Sequence, residues 1–343
     1  MISFRTSFLV CFLVIPNNSI INAEDASFLR NNPTKTKLEN DTVELATATA
    51  SFIQHHNLKT DTQLDIHDFG SGQDFFYVNG KKYSLNDLER KEIYAEDATF
   101  SLDGKELMKL DNKESSIFFG QQNGDQILVA RTNSGAKGQV DSIVILPENG
   151  PEIYMESIKP NVLAVIKTDD LHPEYTEFLG KLELKGRNAE EEENHKLSAN
   201  FNCEQTMLSK EHQVEKDQNP TCSKYYLLTV AIEFDSSFCK LTGNKWGKTK
   251  TKIEAIVANA SARYEKQGIC TKILISNIDG HCHGPTDPYA DMVNKATDLG
   301  CTGNRAGLLT DFGTYYNEHK KDVERCATHL FFGKEPKTNV IGW

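Results

Sequence analysis

Eight cysteines are the residues of this 343-residue chain best placed to do chemistry. Cys11 sits in an apolar N-terminal run. The others are Cys203, Cys222, Cys239, Cys270, Cys282, Cys301 and Cys326, six of them in the last third. Those six, Cys222, Cys239, Cys270, Cys282, Cys301 and Cys326, are disulfide candidates in a chain that reads as exported. Spacing fixes neither their pairing nor which cysteine of an odd set is left over. Cys203 stands apart, in Asn202-Cys203-Glu204-Gln205. His281-Cys282-His283 has metal-ligand residue types. Gly280, Gly284 and Pro285 around it say loop, however, and adjacent ligands cannot close a tetrahedral site alone. Asp279, Asp287 and Asp291 fit no EF-hand spacing, so a solvated loop is expected there. His329 lies within a strand-like run and is expected to be a hydrogen-bonded core histidine. His55-His56 is expected at the surface. Two sequons are glycosylation candidates, Asn40-Asp41-Thr42 and Asn259-Ala260-Ser261; the second falls on an expected helix, so Asn40 is the better one.

The N-terminus has the form of a secretion signal over residues 1–23. Arg5 supplies a positive charge, Phe8–Ile15 is an apolar run too short to span a bilayer, and Ile21-Asn22-Ala23 offers a small residue at the cleavage point. A secretory-pathway protein, extracellular or at the cell surface, is therefore expected. The net charge of −11 argues against a nucleic-acid surface, which needs a basic face. Beyond the signal no run approaches the roughly 20 apolar residues of a membrane span, so no transmembrane segment is expected in this chain.

These residues need elements to position them. Residues 24–185 form a cysteine-free, β-rich block that opens on a helix-like stretch, Val43–Ile53. Asp74–Val78 and Lys82–Leu85 flank Asn79-Gly80, a two-residue hairpin signal. Further strands are expected at Ser116–Phe119, Gln126–Arg131, Gln139–Leu146, Glu152–Ser157 and Val162–Lys167. Residues 186–221, with the acidic run Glu190–Glu193, read as a linker. From 222 to 343 the pattern alternates. A strand is expected over Tyr225–Phe234, with one strongly apolar face. A helix follows over Lys248–Lys266, where Ile253, Ile256, Val257, Ala260 and Tyr264 form one stripe. A strand comes next at Cys270–Ile278, then helices at Ala290–Leu299 and Glu318–Arg325, then an apolar run at Thr328–Gly333. Strands alternating with helices of this length predict crossover units and a mainly parallel sheet. The last residues, Asn339 to Trp343, lie inside another strand-like run. That placement predicts that the sequence is the front part of a longer protein.

Cys326-Ala327-Thr328-His329-Leu330-Phe331-Phe332-Gly333-Lys334-Glu335, then Asn339-Val340-Ile341-Gly342-Trp343, resembles one place in the ADAM family. These are metzincin zinc proteases of the adamalysin (reprolysin) class. At that place a central strand leads through a short loop to an edge strand. Thr221-Cys222 followed by Tyr225–Asp235 looks like the family's first strand. In the cysteine-free block, Phe118-Phe119-Gly120, Gly138-Gln139-Val140 and Glu148–Glu156 resemble its propeptide. Val165–Leu171 resembles a stretch of the branch that sheds Notch and tumour-necrosis-factor precursors.

The resemblance implies an α+β chain: a β-rich prodomain, then the N-terminal part of an α/β metzincin-type catalytic domain. It implies hydrolysis of peptide bonds in protein substrates, with zinc as cofactor and substrate laid antiparallel along an edge strand begun by Val340, Ile341, Gly342 and Trp343. In the family, three histidines of H-E-x-x-H-x-x-G-x-x-H bind zinc and the glutamate is general base. No His-Glu-x-x-His occurs in this chain, so no catalytic residue and no active-site zinc ligand is assigned in it. Cys203 gains a role by the same resemblance, as the thiolate that would take zinc's open position and hold the protease latent. One departure is that no Arg-x-Lys/Arg-Arg site lies between Gly180 and Tyr225. The alternative reading is a secreted non-enzymatic protein, or a protease remnant, that binds or inhibits a related metalloprotease.

Overall fold

The structure, a computed structural model, describes residues 44–50, 52–53, 58–59, 63–69, 75–132, 138–166, 225–284, 287–290, 292, 308–323 and 325–333. The fold is mixed α+β with strand-rich sheets. Residues 44–50 and 52–53 are helical, where the opening helix was expected. The strands that follow are β1 (Ile66–Asp68), β2 (Phe75–Val78), β3 (Lys81–Ser84), β4 (Glu89–Arg90), β5 (Tyr94–Leu102), β6 (Lys105–Lys109), β7 (Ile117–Gln122), β8 (Asp125–Thr132), β9 (Gln139–Leu146), β10 (Ile153–Lys159) and β11 (Val162–Ile166). The later part holds β12 (Tyr226–Phe234), helix α1 (Ser236–Leu241), helix α2 (Trp246–Lys266), β13 (Thr271–Gly280), helix α3 (Leu308–His319) and β14 (Ala327–Phe331).

The expected hairpin forms on its turn chemistry. Asn79 and Gly80 both take positive φ, 51° and 76°, the geometry that matches strand twist in a two-residue turn. Val78 then pairs with Lys81. Phe76, Val78 and Tyr83 turn inward onto the large sheet, whereas Phe75 and Tyr77 face out. That sheet has seven strands in the order β1-β11-β10-β9-β8-β7-β4, each pair antiparallel.

The second sheet has the order β14-β12-β13-β5-β6. β12 runs parallel to both β13 and β14, as the alternating pattern predicts, with α2 as the crossover between β12 and β13. Its far side is the unexpected part. No strand was expected over residues 94–109, yet β5 pairs in parallel with β13 and β6 pairs antiparallel with β5. The sheet thus crosses the boundary drawn in the sequence at residues 186–221.

Helix α2 begins two residues before the expected start, and more of it is buried than one stripe allows. Ile253, Val257, Ala258 and Ala262 are buried together with Thr249, Thr251, Glu254, Ser261 and Glu265. The cause is that α2 lies between the two sheets, against β13 on one side and β7, β8 and β9 on the other. One apolar core, which includes Phe100, Ile117, Leu128, Val257, Ala258 and Ile275, therefore runs through the front strands, the helix and the later strands.

Two expectations need correction. Glu318–Arg325 is not a helix: α3 runs Leu308–His319 and the chain then turns. Lys320 is held there by Asp279, and the Arg325 guanidinium donates to the carbonyls of Lys320 (3.1 Å) and Val323 (2.6 Å), fixing a turn in place of further helical bonds. Asp279 and Asp287 are not in a solvated loop. They are 3% and 8% exposed, because β13 extends through Gly280 and Asp287 folds back onto α1. His281 is likewise buried, with its ring 5.7 Å from that of Tyr289. Of the expected helix Ala290–Leu299, residues 290 and 292 are described and helical. Outside the described residues lie the signal, the linker with Cys203, His55-His56, Cys222, Cys301, Asn40, Asp291, and Val340, Ile341, Gly342 and Trp343.

Candidate functional site

In a parallel sheet the carboxyl ends of the strands are where side chains converge and ligands bind. Here β12 and β13 deliver two acids side by side, since Glu233 and Asp279 are register partners. Both point to the face covered by α3 and Tyr289. Glu233 is fully buried; its Oε2 accepts from the Tyr289 hydroxyl at 2.8 Å, and its Oε1 has no hydrogen-bond partner. Asp279 accepts from the Ser101 hydroxyl at 2.6 Å and is ion-paired with Lys320.

The electrostatics follow from burial. Loss of water, with the Asp279 charge added, pushes the Glu233 carboxyl up to about 8. Burial also pushes up the Tyr289 and Tyr316 hydroxyls. Burial works against the Lys320 ammonium, but the Asp279 carboxylate outweighs it and the net shift is upward. Asp235, which caps α1 by accepting from the Phe238 amide at 2.7 Å, is raised to about 6, again by burial. Such an arrangement holds a proton on Glu233 at neutral pH beside a charged pair. A crevice of about 250 Å³ opens at Asp279, Lys320, Asn277, Ser101, Thr99 and Gly104. Glu233 does not line it, so the stored proton is closed off from that crevice. A larger groove, about 550 Å³, opens by the β2–β3 hairpin at Phe75, Lys82 and Asn123, away from these acids.

Removing the Tyr289 hydroxyl isolates its contribution. Tyr289→Phe strips the donor from a fully buried carboxyl, so a loss of about 1–2 kcal/mol is expected in urea unfolding at neutral pH. A variant as stable as the native protein would mean that this bond adds nothing.

Among the sequence candidates, Cys239 and Cys282 form a disulfide with Cα atoms 5.3 Å apart, and Cys270 and Cys326 are each engaged in a disulfide of their own. His283 is held by Asp103 at the tip of the β5–β6 hairpin. Asp103 Oδ2 lies 2.7 Å from His283 Nδ1, and Oδ1 accepts from the amides of Cys282 (3.0 Å) and His283 (3.2 Å). His329 lies on β14 with its ring 4.7 Å from Phe331, and burial pushes it down to about 4. Asn259 uses its side-chain nitrogen, the atom a glycan would occupy, to donate to the Tyr154 hydroxyl at 3.0 Å.

Sequence reasoning missed Glu233, Glu254, Tyr289 and Lys320. Glu233 left one signal: an acid inside the apolar run Ala231-Ile232-Glu233-Phe234 of an interior strand. Among the described residues no group of three or more His, Cys, Asp or Glu side chains is arranged to hold a metal ion. No described helix is long and apolar enough to cross a membrane. No protein-family model matches the chain, and no curated protein matches it.

Proposed function

We propose that the chain belongs to the precursor of a secreted or membrane-shedding zinc metalloendopeptidase of ADAM type. In this reading residues 24–185 are its propeptide-like block and residues 222–343 the N-terminal part of its catalytic unit. The observation that carries the reading is the parallel set β14-β12-β13, with the long crossover helix α2 between β12 and β13. The alternating pattern of the sequence predicts this parallel order, and the motif resemblance places a first strand at Tyr225–Asp235 and a central strand within Cys326–Glu335. The disulfide at Cys239 and Cys282 supports an oxidising compartment. The described residues supply no zinc-ligand set, so the zinc chemistry of the proposal rests on an H-E-x-x-H-x-x-G-x-x-H helix encoded beyond Trp343. Val340, Ile341, Gly342 and Trp343 would begin the strand that aligns protein substrates, and Cys203 would be the thiolate that keeps the zinc closed.

The test starts from the transcript. Its sequence past the codon for Trp343 is expected to encode the zinc helix. The full product, once activated, is expected to bind one zinc per chain and to cleave a protein substrate, with activity lost to a chelator and restored by zinc. A stop codon directly after Trp343, with no hydrolysis by the secreted chain, would overturn the reading and leave the non-enzymatic binding protein in its place.

A further inference from the structure

We infer that the front block is a permanent partner of the later unit, one that stays in place after the chain between them is cut. The inference rests on packing and does not depend on the protease reading. Three observations carry it. First, the front block completes a sheet. β5 lies along the outer edge of β13, with the Ile275 amide donating to the Ile93 carbonyl at 2.7 Å at one end and the Asp103 amide to the Gly280 carbonyl at 2.8 Å at the other. Without it, β13 presents a row of open backbone groups.

Second, the two parts share one core. Phe100 of β5 stacks on Trp246 at the start of α2, ring centroids 3.6 Å apart, and Ile117 and Leu128 cover the helix from the other sheet. An interface built this way resembles a domain core cut in half, the kind found between obligate partners. Third, the polar contacts inside it are buried and shared. Glu254 of α2 is fully buried and accepts from the Tyr94 hydroxyl and from the Ser116 amide (2.8 Å), both in the front block. Thr251 bonds Ser116 across the same seam at 3.2 Å. At its margin Lys91 pairs with Glu265 at 3.3 Å, Lys252 with Glu156 and Arg263 with Glu152. If the front block leaves, a buried carboxyl loses two of its donors and α2 loses the cover of its second face.

The partner on the β13 edge and the outer face of α2 is thus this chain's own block of residues 63–166. A protease recognition sequence inserted between Glu191 and Glu192 of the full chain tests this. The cut leaves no cysteine in the front fragment after the signal, so a disulfide cannot tie the pieces together. After a denaturing gel shows complete cleavage, native gel filtration is expected to return both fragments in one peak at the position of the uncut chain. Amide exchange at Ile275 and Asp103 is expected to be as slow as before cutting. A front fragment that elutes alone overturns the inference, whatever the later fragment does. Fast exchange at those two amides in a co-eluting pair overturns it as well, because the strand addition would then not hold the pieces.

Discussion

Glu254→Ala is expected to lower the stability of the folded chain by about 3–5 kcal/mol, because a buried amide, a buried hydroxyl and a largely buried ammonium lose their common acceptor. Glu254 is fully buried in α2. Its carboxyl is raised to about 8, first by desolvation, against the opposing pull of the Ser116 amide and the Arg90 charge. Three donors converge on it: the Tyr94 hydroxyl, the Ser116 amide and the Lys250 ammonium at 2.6 Å. Alanine leaves all three without that acceptor, and Lys250, whose side chain is 12% exposed, keeps a charge away from water. Burial already pushes that ammonium down to about 8. Glu254→Gln keeps the volume and an acceptor oxygen, so a smaller loss is expected. Urea unfolding of the three proteins at neutral pH, with equal m-values, measures the difference. A loss below about 1 kcal/mol for the alanine variant would show that water reaches this network.

Glu233→Gln should change how stability responds to pH. The Glu233 carboxyl stands at about 8 in the folded chain against an ordinary value of 4.5. A raised carboxyl favours folding while it is protonated. Its contribution is full below about 4.5 and is lost as pH rises through about 8. That displacement, which already includes the opposing Lys320 charge, corresponds to at most about 5 kcal/mol. Glutamine mimics the protonated acid and accepts from Tyr289 in the same way. Native and variant proteins are therefore expected to be similar near about pH 5, with the variant more stable by a few kcal/mol near about pH 9. Comparing the two proteins cancels the other titrating groups, among them Asp103 and Asp125, which are lowered and act with the opposite sign. Parallel pH profiles would mean that Glu233 ionises in the folded chain as readily as in the unfolded one.

Local signals in the sequence reached the elements that close on near neighbours. Asn79-Gly80 carries its own turn geometry, and α2 carries its stripe, so both are legible from spacing. β12 was read as a strand with one strongly apolar face. In the structure its other face is buried too, beneath α3 and Tyr289, as befits a central parallel strand. β5 was not legible. In Tyr94-Ala95-Glu96-Asp97-Ala98-Thr99-Phe100 acids interrupt the apolar positions, and the residues that select it as a strand are on β13. Glu233 and Glu254 failed to stand out for a related reason. An acid in a helix or strand reads as a solvated position unless the element opposite is known, and here the covering elements, α3 for one and the front sheet for the other, come from far along the chain. The turn after His319 was misread because one of its two anchors, the Lys320 contact with Asp279, lies outside any local window.

Thr99 and Asn277, hydrogen-bonded at 2.8 Å across the β5–β13 seam, are 178 residues apart in the chain. A ribosome adding about 5–20 residues per second makes β5 roughly 10–40 s before β13 exists. Through that interval the nascent β5–β6 hairpin waits with the β5 edge open. The exposed lysines Lys105 and Lys109 guard β6, and the exposed acids Glu96 and Asp97 keep β5 charged while its edge is open. Translation thus sets a minimum delay before this seam can close, since a strand made early has to wait for its neighbour.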